Sequence, residues 1–417
     1  MKKFLSLVLV ALMVIPFGMM ATTSISAAGT VIYVKDGGTG DGSAADKALA
    51  SIPAAIDAAS KKTEDVTIKL VGEVTMDLTS AHYEEPRHTN KITITGNDAN
   101  AKMLVQTHET ASTAADKHFW IMNGELCFEK VNIEVKTGKY LLVLVTQLND
   151  LTFGEGVNCK NSVEGGNETY TVLIRGMMLD YKPEYHYNAE TNTYTANPTI
   201  TLKSGRFFQV VGYMSDASNK TTAKLNGDVT VNISGTTVIE KLCIVANSYV
   251  SCNNATVNLD GGEIVQFLSA SDRPGANMSQ YGISGVTGTY TLNIGKNFDI
   301  TKSANKENGS VFYGIGGTTA NTGYDLALNI EGNGTFIANI DENVYDAIVA
   351  ATDKLNQASF DKINKVETPA DTGNDDSTTG NNPSTSDAST FATAILMVSV
   401  LCFGTVTAFC KKKAAKR

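Results

Sequence analysis

Short segments in which apolar and polar residues alternate recur along this chain, and many are followed closely by glycine. Alternation with a period of two is typical of a β-strand that buries one face. The segments are Val66–Leu70, Lys91–Thr95, Val131–Val135, Thr171–Ile174, Ile200–Lys203, Val229–Ile233, Thr256–Leu259, Thr291–Ile294 and Leu326–Ile330. A strand and a turn repeated about every 30 residues predict a solenoid, in which each coil stacks on its neighbours.

The type of solenoid follows from what the repeat lacks. Helical periodicity is nearly absent, and so is the leucine-rich pattern Leu-x-x-Leu-x-Leu-x-x-Asn. We therefore predict an all-β fold, a right-handed parallel β-helix filled by Val, Ile, Leu and Phe. A pair of β-sandwich domains is the alternative. It is disfavoured because hairpin turn signals are few and the repeat exceeds the roughly 8 to 12 residues between sandwich strands.

A helix is predicted close to the start of the repeat. After Val31–Val34 and a glycine-rich turn at Asp36–Ser43, the chain can form a helix over Ile52–Lys61, with Ser51 as its N-cap and Pro53 in the first turn. Four apolar residues share one face: Ile52, Ala55, Ile56 and Ala59. An open β-helix exposes its first coil, so we expect this helix to cover that end.

The opening IYVKDGGTGDGSAADKALASIPAAIDAA resembles that of pectin-lyase-like β-helix proteins, especially surface proteins of anaerobic Gram-positive bacteria. As a pattern, the resemblance extends from Val31 to about Asn339 and implies the fold. The family includes lyases, hydrolases and esterases of acidic polysaccharides, so an activity has to be argued from sites. The Asn-Thr-Asp and Gly-His-Gly motifs of the hydrolases are absent, and Asp375–Asp376 is the sole Asp-Asp pair. A polysaccharide lyase or glycoside hydrolase is therefore the alternative to a binding protein without catalysis.

Both ends of the chain indicate export. Residues 1–28 read as a secretory signal peptide, with Lys2 and Lys3, an apolar stretch, and small residues up to Ala28. An uncleaved N-terminal anchor is the alternative. Phe391–Cys410 carries no charge and as a helix would reach about 30 Å, enough to span a bilayer. The basic tail, residues 411–417, is expected to stay in the cytoplasm, which places the body outside.

The segment before this helix, residues 367–390, is nearly free of apolar residues and is predicted to be a disordered tether. Within residues 382–387 it resembles the Leu-Pro-X-Thr-Gly sorting signals of Gram-positive surface proteins. Pro383 and Thr385 match, whereas Asn382 and Ser386 differ and Ser384 fills the variable position. The resemblance implies a sortase as partner, and a location on the plasma membrane's outer face or in the cell wall. Residues 29–345 then form the β-helix, and residues 346–366 a C-terminal cap or transition segment.

Composition excludes several classes of ligand. The formal net charge of −9 offers no basic surface for nucleic acid. No Cys-x-x-Cys is present, so we predict no metal site and no cofactor. Four cysteines lie in the body: Cys127, Cys159, Cys243 and Cys252. Cys243 and Cys252 could form a disulfide, but buried free thiols on strands are the favoured interpretation.

A tyrosine-rich segment, Met178–Pro198, interrupts the repeat and reads as a hairpin. Aromatic faces next to carboxylates suit the apolar face and the hydroxyls of a sugar. The candidate glycan-binding residues are Tyr181, Glu184, Tyr185, His186, Tyr187 and Tyr194. The alternative is a hairpin that folds onto its own coil and uses these tyrosines for packing.

A second candidate site lies in the segment HYEEPRH, which contains His82, Glu84, Glu85, Arg87 and His88. With His118 and Trp120 on a following coil, these residues could form a metal or acid–base site. The commoner interpretation of such a segment is a solvated, salt-bridged loop.

Overall fold

The computed structural model describes residues 29–107, 118–122, 124–137, 142–164, 168–177, 186–214, 223–245, 250–271, 285–303, 318–319, 324–325, 335–350 and 362–368. The predicted signal peptide (1–28), the tether beyond Thr368, the sorting-like motif (382–387), the membrane segment (391–410) and the basic tail (411–417) lie outside these residues. Within the described ranges, no helix is both long and apolar enough to cross a membrane.

Two α-helices and 25 strands make up the described part of the chain. The helices are α1 (Ile52–Ser60) and α2 (Glu342–Ala350). The strands are β1 (Thr30–Val34), β2 (Val66–Leu70), β3 (Glu73–Asp77), β4 (Tyr83–Glu84), β5 (Lys91–Gly96), β6 (Lys102–Gln106), β7 (His118–Trp120), β8 (Glu125–Glu129), β9 (Asn132–Thr137), β10 (Leu142–Val145), β11 (Asp150–Phe153), β12 (Asn158–Asn161), β13 (Val172–Met177), β14 (Tyr187–Asn188), β15 (Thr193–Tyr194), β16 (Thr199–Leu202), β17 (Arg206–Met214), β18 (Ala223–Val245), β19 (Val250–Ser271), β20 (Gly285–Val286), β21 (Thr289–Ile294), β22 (Thr318–Thr319), β23 (Tyr324–Asp325), β24 (Thr335–Asp341) and β25 (Lys362–Val366).

Parallel ladders join strands from successive coils. The first ladder runs β1-β2-β5-β8-β11-β16-β18-β19-β21-β24-β25. The second ladder is β3-β6-β9-β12, and the third ladder is β4-β7-β10-β13-β17-β18-β19. The prediction of an all-β fold built from parallel strands is confirmed, and the pairing is compatible with a β-helix.

The path of each coil changes partway along the stack. Early coils pass through the first, second and third ladders in turn, for example through β2, β3 and β4. The second ladder stops at β12, and a fourth ladder, β15-β18-β19-β20, begins at the hairpin β14–β15. From there the strands bend around the corners without a break, so β18 and β19 contribute to three ladders each.

Glycines shape the turn between the first and third ladders. Gly205, Gly235 and Gly261 have φ angles of 105°, 58° and 123°, which side-chain-bearing residues rarely adopt. At Gly235 a Cβ would also lie 2.3 Å from the carbonyl oxygen of Lys203 on the preceding coil. The spacing of these glycines in the sequence therefore reflects one corner repeated coil after coil.

The interior is a set of stacked apolar columns. One column of the first ladder contains Ile32, Ile68, Ile94, Phe128, Phe153, Leu202, Ile233, Leu259, Ile294 and Ile340, all of them buried. Phe128 and Phe153 stack with their ring centroids 4.9 Å apart. Residues two apart on a strand point the same way, so this burial fixes the register of the whole ladder.

The predicted N-terminal helix is confirmed as α1. The Ser51 hydroxyl accepts a hydrogen bond of 3.3 Å from the backbone N–H of Ala54, and Pro53 lies in the first turn. The buried face consists of Ile52, Ala55, Ile56 and Ala59, as predicted. Through this face, α1 packs against β1 and β2 at the N-terminal end of the stack.

An asparagine ladder lies on the outward face of the first ladder. The side-chain Nδ2 of Asn258 donates to Oδ1 of Asn232 at 2.7 Å, and the same bond repeats from Asn293, Asn339 and Asn364 to the preceding asparagine at 2.7, 2.8 and 2.7 Å. Every donor lies on the later strand. Each amide thus joins two coils that the backbone already pairs.

The parallel pairing extends past the predicted boundary of the β-helix at residue 345. That boundary falls inside α2, and β25 then pairs with β24 up to Val366. The expected transition segment is therefore partly a further strand of the ladder, because Ile363 and Asn364 continue the apolar and asparagine columns. Thr368 ends the described part, and its hydroxyl donates to Oδ2 of Asp341 at 2.9 Å.

The four body cysteines are buried and form no disulfide within the described part of the chain. Cys243 lies on the third ladder, and Cys252 lies in the part of β19 that pairs with β20. Burial raises the pKa of the Cys252 thiol to about 12, which leaves it protonated and unreactive. The favoured interpretation of buried free thiols is thus confirmed.

Candidate functional site

Buried polar residues cluster at one corner of the stack, where the chain passes from the third ladder back to the first. Three coils contribute to this corner: Glu85, His88 and Asn90 after β4; Met122 and Gly124 after β7; Thr146, Gln147 and Asn149 after β10. The interior elsewhere is mainly aliphatic and aromatic. Burying a polar group costs free energy unless the group is hydrogen-bonded, and buried titratable groups are concentrated at functional sites. This corner is therefore the candidate functional site.

A buried acid–base pair forms the base of the corner. Nε2 of His88 lies 3.2 Å from Oε1 of Glu85, and both side chains are completely buried. Nδ1 of His88 donates to the carbonyl oxygen of Asn90 at 2.7 Å, because that oxygen can only accept. The Glu85 contact must therefore hold one proton between the two groups, carried by either partner.

Glycine and asparagine residues hold this pair in place. Gly124 has a φ of 86°, and a Cβ at this position would lie 2.5 Å from the His88 ring. Nδ2 of Asn90 donates to the carbonyl oxygens of Ala59 and Glu64, at 3.3 and 2.9 Å. The turn that carries His88 is thus tied to the end of α1.

Burial and the contact between the two groups together set the titration of the pair. It raises the pKa of Glu85, against the opposing effect of His88. Burial alone would lower the pKa of His88, but the hydrogen bond and charge of Glu85 and the Asn90 carbonyl together raise it. Burial and the Glu85 charge also raise the pKa of the neighbouring Tyr83 hydroxyl. The folded state therefore binds protons at the pair more tightly than the unfolded chain does.

We expect a rise in pH to destabilise the protein through this pair. Folding raises the pKa of Glu85 above its usual value of 4.5 and that of His88 above its usual value of 6.5. The stabilisation from each group is therefore fully present below its usual pKa and is lost as pH rises through its raised pKa. Urea unfolding followed by Trp120 fluorescence should show a lower free energy of unfolding at about pH 9 than at about pH 6. The double variant Glu85→Leu/His88→Leu should lack this part of the slope. An unchanged slope in that variant would assign the effect to other groups.

Three aromatic rings stack on the outward face beside the buried pair. The ring of His82 lies 4.9 Å from His118 and 5.0 Å from Trp120 between centroids, with both interplanar angles 29°. The backbone N–H of His118 donates to Nδ1 of His82 at 3.0 Å. His82 is exposed, Trp120 is half-buried and His118 is buried. We call His82, His118 and Trp120 the aromatic stack.

The surroundings of the aromatic stack differ on its two sides. Trp120 packs against an outward apolar cluster formed by Val143, Val145 and Leu173. On the other side Glu84, which is exposed, stands opposite Trp120 in the β4–β7 pairing. The stack therefore offers one accessible ring, His82, next to an accessible carboxylate.

The predicted cluster at residues 82–88 divides into two groups. His82, Glu84 and Arg87 are exposed, whereas Glu85 and His88 are buried. The interpretation of a solvated loop is therefore wrong for Glu85 and His88, because the turn after β4 folds them into the corner. The expectation that His118 and Trp120 lie on a following coil is confirmed, since β7 pairs directly with β4.

The tyrosine-rich segment is described only in part: Tyr181, Glu184 and Tyr185 lie outside the described residues. Tyr187 and Tyr194 face each other across the antiparallel pair β14–β15, with ring centroids 5.0 Å apart. Tyr194 is 1% exposed, and burial raises its pKa to about 12. Burial also lowers the pKa of His186. Tyr194 thus serves packing in this conformation, and the hairpin sits on a later coil than the aromatic stack.

The contribution of the third coil to the corner, the turn after β10, was not predicted from the sequence. Gln147 and Leu148 have φ angles of 50° and 64°, and the buried amide of Gln147 has no hydrogen-bond partner in the described part of the chain. Asn149 holds the turn through Nδ2, which donates to the carbonyls of Ile121 and Thr146 at 3.1 and 2.9 Å. The available signal was a polar run directly after the apolar strand β10. Strained backbone of this kind is concentrated at functional sites.

The described side chains of the corner and the aromatic stack offer stacking, hydrogen bonding and proton storage. Across the described residues, no group of three or more His, Cys, Asp and Glu side chains is arranged to hold a metal ion. Comparisons of the chain with protein-family models, with curated proteins and with solved structures found no match.

Proposed function

We propose that this chain is a surface-anchored right-handed parallel β-helix that binds a glycan at the aromatic stack without turning it over. The observation that carries the proposal is the exposed ring of His82, which stacks on His118 and Trp120 and lies two residues before the exposed Glu84. A flat ring face suits the apolar C–H face of a pyranose, and a nearby carboxylate suits its hydroxyls. An apolar ligand would gain nothing from Glu84.

Rigidity of the platform supports binding. His82 is held by a backbone hydrogen bond from the next coil, and Trp120 rests on the apolar cluster behind it. A ring that is already fixed loses little conformational entropy when a ligand stacks on it. The buried pair Glu85–His88 fixes the turn that follows β4, and it therefore positions the platform without reaching the ligand.

The proposed placement on the cell follows from the ends of the sequence. A signal peptide at residues 1–28 would export the chain, and the apolar segment 391–410 with its basic tail would retain it at a Gram-positive surface. The sorting-like residues Asn382–Ser386 would add covalent attachment to the wall by a sortase. From β5 to β25 the first ladder takes eight steps, roughly 40 Å at 4.8 Å each. The aromatic stack, on β4 and β7, therefore lies on early coils, far along the parallel stack from β25.

The proposal is tested by glycan binding to the full-length protein in mild detergent. The probes are homogalacturonan, hyaluronan and gastric mucin, with binding measured by calorimetry. We expect at least one to bind, and His82→Ala to weaken that binding about fivefold to tenfold through loss of the stacking ring. Thr89→Ala, an exposed residue on the same turn, is the matched control and should bind normally.

Two results would contradict the proposal. Equal affinity of the His82→Ala and Thr89→Ala variants would remove the aromatic stack from the binding site, and absence of binding to every probe would remove glycan binding itself. Release of new reducing ends or unsaturated uronates from any probe would instead favour a lyase or hydrolase.

A further inference from the structure

Among the described residues, the parallel stack is covered at its N-terminal end and ends in an unpaired strand edge at its C-terminal end. At the N-terminal end, the backbone N–H of Tyr33 donates to the carbonyl of Gly42, and that of Leu49 donates to the carbonyl of Tyr33, both at 2.9 Å. These bonds cover the outer edge of β1. At the C-terminal end, β25 pairs with β24 alone among the described residues. The outer edge of β25 therefore presents backbone N–H and C=O groups that can accept another strand.

The asparagine ladder also ends at this edge, at the side chain of Asn364. The side chain of Asn364 donates to Asn339. Each earlier asparagine of the ladder also accepts a hydrogen bond at Oδ1 from the asparagine on the next strand. Among the described residues, Oδ1 of Asn364 accepts no such bond. Every amide in the ladder donates toward the N-terminal end, so the ladder has a fixed direction. A strand added outside β25 would complete it with a side-chain N–H at the level of Asn364.

The charges on β25 select what can be added. Lys362 and Lys365 are both exposed, and Val366 is 37% exposed. Nζ of Lys365 lies 5.4 Å from the ring centre of Tyr345 and 4.0 Å from the exposed Asp346 carboxylate, which fixes its position without burying its charge. Pairing with a second copy of β25 would bring four lysines together, and edge lysines are a known barrier to such pairing. The same lysines attract a strand with acidic side chains.

We propose that β25 is a strand-addition site for an acidic, extended segment of a partner protein. The partner strand lies parallel to β25, carries an asparagine or glutamine opposite Asn364, and places carboxylates opposite Lys362 and Lys365. Backbone hydrogen bonds supply the affinity, and the two lysines supply the selectivity. This site is independent of the aromatic stack, which lies on early coils.

The test uses two synthetic peptides and the full-length protein. Each peptide has eleven residues; the central five are EVNEV in one and KVNKV in the other. We expect the acidic peptide to bind about tenfold more tightly, because its carboxylates form two cross-strand ion pairs with Lys362 and Lys365. In the variant Lys362→Glu/Lys365→Glu this preference should reverse. Lys362→Glu alone should reduce the preference by about half on a free-energy scale.

Several outcomes would overturn the proposal. The matched control is Lys296→Glu, at an exposed lysine far from β25, and it should leave the preference for the acidic peptide intact. Loss of that preference in Lys296→Glu would show a non-specific charge effect. Equal affinity for both peptides, or no binding of either, would remove the strand-addition site. Concentration-dependent dimerisation that the acidic peptide does not displace would assign the edge to a second copy. Peptide binding seen only after truncation at Pro369 would assign it to the chain's own acidic C-terminal segment.

Discussion

Replacing His88 with alanine should lower the free energy of unfolding by about 3 kcal/mol. The change leaves the buried Glu85 carboxyl without the imidazole that lies 3.2 Å from it, and opens a cavity against Gly124. Glu85 will respond by taking up a proton, since its pKa is already raised by burial, and this limits the loss. Urea unfolding followed by the fluorescence of Trp120, the single tryptophan, measures the change.

The control for this prediction removes both partners together. Glu85→Leu/His88→Leu replaces the pair by apolar side chains of comparable size, and we expect it to cost less than His88→Ala, by about 2 kcal/mol. A single variant within about 0.5 kcal/mol of wild type would contradict the burial of the pair. A double variant as unstable as the single would contradict their coupling.

Replacing Asn258 with alanine should cost about 2 kcal/mol, because it removes two ladder bonds at once. Asn258 donates to Asn232 at 2.7 Å and accepts from Asn293 at 2.7 Å. Both lost bonds join coils, so their partners lose interstrand contacts in the same step. The measurement is again chemical unfolding at constant pH.

The matched variant is Asn364→Ala, at the end of the same ladder. It removes only the bond to Asn339 and should cost about half as much as Asn258→Ala. Equal costs for the two positions would mean that the ladder bonds contribute nothing beyond the intrinsic difference between asparagine and alanine.

Local signals in the sequence were sufficient for several elements. Ser51, Pro53 and one apolar face predicted α1 to within one residue, because a helix end is specified by its own cap and first turn. The strand Val66–Leu70 was predicted with its observed bounds, since alternation records which face is buried. The recurrent glycines marked one real corner, where φ is positive at Gly205, Gly235 and Gly261.

Features that depend on contacts between coils could not be predicted. Whether Glu85 and His88 are solvated or buried is decided by Gly124, which comes from the next coil and leaves room for the imidazole. The amide of Gln147, which has no hydrogen-bond partner in the described part of the chain, lies in a strained turn that the polar run after β10 marks without specifying its conformation.

The residues of the candidate site were predicted from the sequence, but their arrangement in space was not. The segment at residues 82–88 was singled out together with His118 and Trp120 of β7, because histidine and tryptophan are uncommon in this chain. Their division into an exposed stack and a buried pair required the register of β4 against β7. Strand alternation specifies which side a residue faces only while the strand lasts, and β4 ends at Glu84.

The most direct test of glycan binding at the aromatic stack is the emission of Trp120 during a titration of the full-length protein. Because Trp120 is the only tryptophan and stacks on His82, a sugar that settles on His82 must alter its surroundings. We predict a saturable change in emission with at least one of the three polysaccharide probes, at the concentrations where calorimetry detects binding. The change should persist unaltered in Thr89→Ala and should shift to about fivefold to tenfold higher ligand concentration in His82→Ala. Saturable binding that leaves Trp120 emission unchanged would contradict the assignment of the site.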